Sequence, residues 1–241
     1  MIGPHPPDQA VAAGSGEFLD DPATPAAALR ATLRDQAWIN RYLGGGQATW
    51  AHAGPYLRRC SSDPLRVLEI GCGGGDILRR LVAAARRPGR PLVAVGLDRN
   101  PRVLACAAEW SRDYPEIRLL CADALDLPLR PGSFDLVLLP TFLHHLPPDR
   151  APALLREAAR LSRGLVVVAD LAPSPLARLG WPLLAALLRL HPVSRHDGLL
   201  SLRHAPAPAD LAACARAAGL RDWSLHRHPW CRQALVCPGA G

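Results

Sequence analysis

Between Leu65 and Val168 the apolar residues cluster in short runs, interrupted only by single charged residues such as Arg66, Glu69, Arg118 and Asp135, and separated by stretches whose apolar positions recur at helical spacing. The runs Leu65–Ile70, Leu92–Leu97, Ile117–Cys121, Phe134–Leu139 and Leu165–Val168 predict strands, and helices are expected from Asp76, Pro101 and Asp149. Strands that are apolar at neighbouring as well as alternate positions belong in a sheet covered on both faces. The alternation with helices therefore predicts an α/β fold with a Rossmann-like, doubly wound, mostly parallel sheet. Upstream, Leu29, Leu33, Trp38 and Tyr42 mark an amphipathic helix from Pro25 that stops at Gly44-Gly45-Gly46, with a second short helix to about Cys60. Downstream come an apolar helix after Pro175, a helix over Pro208–Ala218, and two strand-like runs, Asp222–His226 and Gln233–Val236, expected to pair antiparallel. The first residues are rich in Pro, Gly and Ala without periodicity, so 1–24 reads as a flexible segment, 25–60 as an N-terminal helical cap and 61–241 as the sheet domain.

The junction of the first strand and helix carries the chemistry. Val67-Leu68-Glu69-Ile70-Gly71-Cys72-Gly73-Gly74-Gly75-Asp76 is a buried strand that ends beside an acidic residue and breaks into glycines, which lets the backbone approach a bound molecule closely. Gly71 and Gly73 occupy the first two positions of a dinucleotide GxGxxG loop, but the third falls on Asp76, whose carboxylate would repel a pyrophosphate. A ligand without phosphate is favoured. The second strand ends in Asp98-Arg99, where a carboxylate can accept from both hydroxyls of a ribose. The third ends near Asp123-Ala124, where another can accept from an adenine amine. Helix capping, a turn and a surface ion pair are the structural alternatives for Asp98, Asp123 and Glu69 taken singly.

Composition narrows the partners. The net charge of +7 suggests nucleic acid, but all 28 basic residues are arginine and they are scattered without a basic run, so no nucleic-acid partner is expected. The seven cysteines form no CxxC and no metal-like spacing with histidine, which predicts reduced thiols in a cytoplasmic protein and no metal. The apolar stretch Pro175 to Leu190 is interrupted by Arg178, Gly180, Pro182 and Arg189 and is too short to span a bilayer.

These motifs together resemble the class I S-adenosylmethionine-dependent methyltransferases: Glu69 to Gly75 as the glycine motif, Asp98 as the ribose carboxylate, Asp123-Ala124 as the adenine site and Phe134-Asp135-Leu136-Val137-Leu138 as the fourth strand. The resemblance covers roughly Leu65 to Asp170. It implies a seven-stranded sheet with an antiparallel final strand, S-adenosyl-L-methionine as cofactor, and a cofactor site made of Glu69, Gly71, Cys72, Gly73, Gly75, Asp98, Arg99, Asp123, Ala124 and Pro140. Glu69 would face the methionine ammonium. Thr141-Phe142-Leu143-His144-His145-Leu146 is similar to the segment after the fourth strand in the ubiquinone and menaquinone biosynthesis branch. Leu19-Asp20-Asp21-Pro22, Ile39 to Gly45, Ala169-Asp170-Leu171 and His196 to Ser201 resemble a bacterial group associated with phenolic or polyketide-like metabolites. Ala169 and Ala205-Pro206-Ala207-Pro208 depart from that group's pattern.

The implied acceptor is a small phenolic, quinone or polyketide-like molecule. A phenol near pKa 10 and an imidazole near 6.5 differ by about 5 kcal/mol, so a base must act as the methyl moves. His144 and His145 are the candidate bases, and Asp170, His196 and Asp197 are weaker ones. Residues 171–207 are expected to form a substrate lid, and Arg178 and Arg189 beside its apolar face would permit peripheral membrane contact. An RNA or protein methyltransferase, a non-catalytic cofactor-binding protein and a nicotinamide-dependent oxidoreductase are the competing readings.

Overall fold

The computed structural model describes Phe18, Asp21 and residues 23–240. Most of the expected flexible segment 1–24, and of the Leu19 to Pro22 motif within it, lies outside the described residues. Seven strands form one sheet: β1 (Leu65–Ile70), β2 (Leu92–Asp98), β3 (Ile117–Cys121), β4 (Phe134–Pro140), β5 (Ser162–Leu171), β6 (Ser224–His228) and β7 (Arg232–Pro238). Their order is β3-β2-β1-β4-β5-β7-β6. The first five are parallel, and β7 runs antiparallel to both β5 and β6. Because β1 pairs with both β2 and β4, the connections diverge there and open a crevice beyond the strands' carboxyl ends.

Successive strand residues point to opposite faces, and both faces are buried, as the apolar runs require. Leu68, Ile70, Val137, Leu139, Val166 and Val168 pack with Leu154, Leu155 and Ala158 of α5 (Ala151–Leu161) and Leu211 of α8 (Pro208–Ala217). Val67, Ala94, Leu136, Leu138 and Val167 pack on the other side with Ala53 and Leu57 of α2 (Gly45–Arg59) and Leu78, Leu81 and Val82 of α3 (Asp76–Arg86). Helix α4 (Pro101–Trp110) begins at an Asn100 cap, whose side chain accepts from the Arg102 N–H.

Several boundaries differ from the sequence reading for local reasons. Helix α1 (Ala26–Tyr42) ends as expected, but only Gly44 makes the break, with φ +88, and α2 starts at Gly45. A Cβ on Gly45 would lie 2.5 Å from Asn40 Oδ1, so that glycine serves close passage of two helices rather than a loop. Strand β5 begins at Ser162, three residues before its apolar run, and α5 begins at Ala151 because the preceding residues close a turn in which the Arg150 N–H donates to Pro147 O. After α6 (Pro175–Leu187) the chain forms a further helix, α7 (Pro192–His204), which the apolar spacing did not reveal. Gly198 is needed there because the Trp181 indole lies against it; a Cβ would meet Trp181 Cζ2 at 2.2 Å.

Candidate active site

The crevice beyond β1 and β4 holds a cavity of about 610 Å³. Of the cofactor residues expected from the sequence, Glu69, Gly71, Cys72, Gly73, Asp98, Arg99, Asp123, Ala124 and Pro140 line it, and so do both candidate bases, His144 and His145. Gly75 does not. It caps α3 at φ +73 and donates its N–H to Cys72 O, so it shapes the loop from behind. The loop is pinned to β2, since Gly71 N and Cys72 N both donate to Leu97 O, and Gly73 N donates to Asp98 Oδ2 at 3.1 Å. Asp98 also accepts from the Asn100 N–H, which couples the end of β2 to the start of α4. Asp123 accepts from the Leu125 N–H in a turn and also lines the cavity.

Glu69 is fully buried, and its Oε2 has no hydrogen-bond partner among the described residues. Burial raises its pKa well above the ordinary carboxylate value, and the nearby Asp76 carboxylate pushes it the same way. Burial also raises Asp76, which accepts from Asn40 Nδ2 of α1 at 3.3 Å. Glu69 is thus held out of water beside the glycine loop, with the half-buried Asp76 next to it. A buried carboxyl with an unpartnered oxygen favours a cationic ligand with hydrogen-bond donors. This set of carboxylate acceptors fits the ammonium and the ribose hydroxyls of an adenosyl sulfonium.

At the other end of the cavity, the buried His144 Nδ1 lies 2.6 Å from Asp170 Oδ1, and its N–H donates to Asp170 Oδ2. The Leu171 N–H is a third donor to the same carboxylate. Burial alone would raise Asp170, but its electrostatic interaction and hydrogen bond with His144 outweigh it and hold the carboxyl below its ordinary pKa. The ring of His145 stacks 4.2 Å from that of His144. Although the His145 side chain is exposed at the cavity wall, desolvation by the surrounding protein atoms and then the neighbouring imidazole lower its pKa, which makes it the poorer proton acceptor. The sequence reading left the two histidines equal; the contact with Asp170 separates them.

Arg232 on β7 escaped the sequence reading. It is buried, lines the same cavity, donates from Nε to Leu43 O, and leaves Nη1 without a partner among the described residues. Burial lowers its pKa to about 10 against the attraction of Asp170. Its position follows from the pairing of Leu171 with Arg232, a register that no local pattern announces. The weaker candidate Asp197 lines the cavity and is buried; His196, bonded to it at 3.1 Å, is half exposed and lies outside the lining.

The apolar roof comes from α1, α6 and α7, with Ile39, Leu43, Trp181, Leu184 and Leu202 among its lining side chains. Asp35 of α1 ties down the start of α7, accepting from His191 N at 2.8 Å and Ser194 Oγ at 2.6 Å. Arg30 grips Glu109 of α4 with two hydrogen bonds, at 2.7 and 2.8 Å. The cap is therefore anchored on both sides of the crevice.

Residues 67–164 match the family described as "Methyltransferase domain". The 2-phytyl-1,4-naphtoquinone methyltransferase of Thermosynechococcus vestitus is 32% identical over 166 residues, covering 63% of this chain and 70% of the relative. The chain belongs to the class I S-adenosylmethionine-dependent methyltransferases. As a member it is an S-adenosylmethionine-dependent methyltransferase. The 27-O-demethylrifamycin SV methyltransferase of Amycolatopsis mediterranei is 32% identical over 162 residues, covering 60% of this chain and 57% of that one. The fold agrees with the crystal structure of a SAM-dependent methyltransferase from Aquifex aeolicus, at TM-score 0.61 and 11% identity, covering 87% of this chain and 97% of that one.

Proposed function

We propose that this methyltransferase acts on a small phenolic, quinone-derived or polyketide-like acceptor, with His144 as the base and Asp170 as its positioning residue. The observation that carries this reading is the buried His144–Asp170 pair at 2.6 Å in the wall of an apolar-roofed cavity that also contains Glu69 and Asp98. Similarity to enzymes named for naphthoquinone and rifamycin methylation supports the acceptor class. When bound, S-adenosylmethionine supplies a methyl group on a sulfonium that is already a strong electrophile. Glu69 would hold the ammonium and Asp98 the ribose, with Asp123 beside the adenine.

The chain's own task is then alignment and proton removal. Holding two reactants in line supplies on the order of 7–11 kcal/mol, and the roof formed by residues 171–207 serves that purpose by closing the acceptor over the cofactor loop. Asp170 fixes His144 through Nδ1, so Nε2 is the nitrogen that would receive the acceptor's proton. The carboxylate then stabilises the imidazolium that forms. A base so placed contributes on the order of 10²–10⁴ in rate.

Titration calorimetry with S-adenosylmethionine, followed by methyl-transfer assays over phenols, hydroquinones and aromatic polyketides, tests the reading. His144→Gln and Asp170→Asn should lower kcat by about 10²–10⁴ with little change in cofactor affinity, and Asp170→Asn should also shift the acidic limb of the pH–rate profile. His145→Gln should cost less. Cofactor heat without transfer to any member of the panel would defeat the acceptor assignment, and full activity in Asp170→Asn would defeat the assignment of the base.

A further inference from the structure

Helix α6 is apolar on the wrong side. Its inner face packs Trp181 and Ala185 against α7 and the cavity, as an amphipathic helix should. Its outer face carries Leu176, Leu179, Leu183 and Leu187, which are 82%, 81%, 77% and 76% exposed. At 3.6 residues per turn these four side chains fall within roughly a quarter of the helix circumference, forming one continuous stripe. Water-facing positions of a surface helix ordinarily carry charge, so four adjacent leucines there mark a surface built to be covered.

The charges around the stripe identify the cover. Residues 171–207 contain four arginines, Arg178, Arg189, Arg195 and Arg203, all exposed, and a single acidic residue, Asp197, which is buried. Arg178 spends its hydrogen bonds on main-chain carbonyls, Leu202 O and Arg203 O, so its charge faces no carboxylate among the described residues. A second copy of the chain would bring the same arginines against one another, whereas an anionic surface would neutralise them. The stripe also runs into the cavity mouth. Leu176 both belongs to it and lines the cavity, and Trp230, 65% exposed on the turn between β6 and β7, lines the same cavity. Tryptophan at the rim of a leucine stripe with basic flanks is the composition of a helix lying in a bilayer interface. No described helix is long and apolar enough to cross a membrane, so contact would be in plane.

We infer that the outer face of α6 docks this enzyme onto an anionic lipid bilayer, with the four leucines in the acyl boundary and the cavity mouth turned towards the lipid. Acceptors dissolved in the membrane could then enter past Leu176 and Trp230 without crossing water.

Co-sedimentation with phosphatidylcholine vesicles, with and without phosphatidylglycerol, tests this on the full chain. The protein should pellet with the phosphatidylglycerol vesicles and be released by salt. A Leu179→Gln, Leu183→Gln variant, altered outside the catalytic cavity, should lose vesicle affinity by about a hundredfold, on the order of tenfold for each leucine withdrawn from hydrocarbon. Unchanged cofactor calorimetry and circular dichroism in that variant would show that the fold survives. Equal pelleting with neutral vesicles, no pelleting at all, or undiminished binding by the variant would overturn the proposal. So would light scattering that shows a dimer dissociated by the same substitutions with no vesicle binding, since the face would then belong to a second copy. The vesicle readout needs neither acceptor nor turnover, so it stands apart from the acceptor assignment.

Discussion

Glu69 is a buried carboxyl group with one oxygen unpartnered among the described residues. Its raised pKa means that the empty protein retains a proton there to higher pH than an ordinary carboxylate would. A cationic ligand prefers the ionised form, so binding should expel that proton, and affinity should increase with pH until Glu69 ionises unaided. Calorimetry of S-adenosylmethionine in two buffers of different ionisation enthalpy should reveal net proton release at pH values below that at which Glu69 ionises unaided. Glu69→Gln, which keeps the shape and removes the charge, should abolish the release and weaken binding by about tenfold or more. Proton uptake, or an identical signal from the variant, would place the ligand's positive group elsewhere. Asp98 offers a contrast, because its carboxylate is already engaged with Gly73 N and Asn100 N and its loss should loosen the loop as well as the ligand.

Among the elements, the turns that aim residues into the cavity carry visible strain. The β6–β7 hairpin turns through Trp230 and Cys231 at φ +60 and +53, a conformation normally given to Asn-Gly, and Thr141 leaves β4 at φ +48. Replacing Cys231 by glycine should relieve about 1 kcal/mol and raise the melting temperature by about 2–4 °C in a chain of this size. Gly71→Ala should do the reverse, because φ there is +70 and the new Cβ would lie 2.1 Å from Phe142 Cδ2; calorimetric scanning of the two variants compares the signs. These strained turns also mark the limit of what the sequence discloses. Strands β1, β2 and β4 and the residues at their tips were legible because burial on both faces and a glycine break are local signals, and the edge strand β3 because its apolar residues cluster in a short run. Arg232 was not, since its place beside Asp170 depends on the long-range register of β5 with β7. Helix α7 was hidden because Arg195, His196, Asp197 and Gly198 interrupt its apolar spacing, and what settles it is packing against Trp181 and the tie to Asp35.

Across the whole molecule, protonation couples the sheet edge to overall stability. His52 of α2 meets two histidines of β6: its Nε2 lies 2.9 Å from His228 Nε2, and its ring centroid lies 4.5 Å from that of His226. Burial, and then repulsion from His226 and His228, lower the His52 pKa to about 4, and burial followed by His226 lowers His228 as well. In the unfolded chain an imidazole titrates near 6.5. Between about 4 and 6.5 the unfolded state therefore binds more protons, and the folded state loses stability as pH falls through that window, with no such loss above it. Buried carboxyls complicate the total, because Glu69 and Asp76 have raised values that act in the opposite direction over part of the range. Comparison with His52→Gln removes that background, since the carboxyls are common to both proteins. Urea unfolding of wild type and variant should differ by a constant amount above about pH 6.5, and the variant should gain on wild type as pH falls from there towards 4. A difference that stays level across the window would mean that His52 accepts a proton as readily in the folded protein as in the unfolded chain, and that the packing of α2 on β6 leaves its charge fully hydrated.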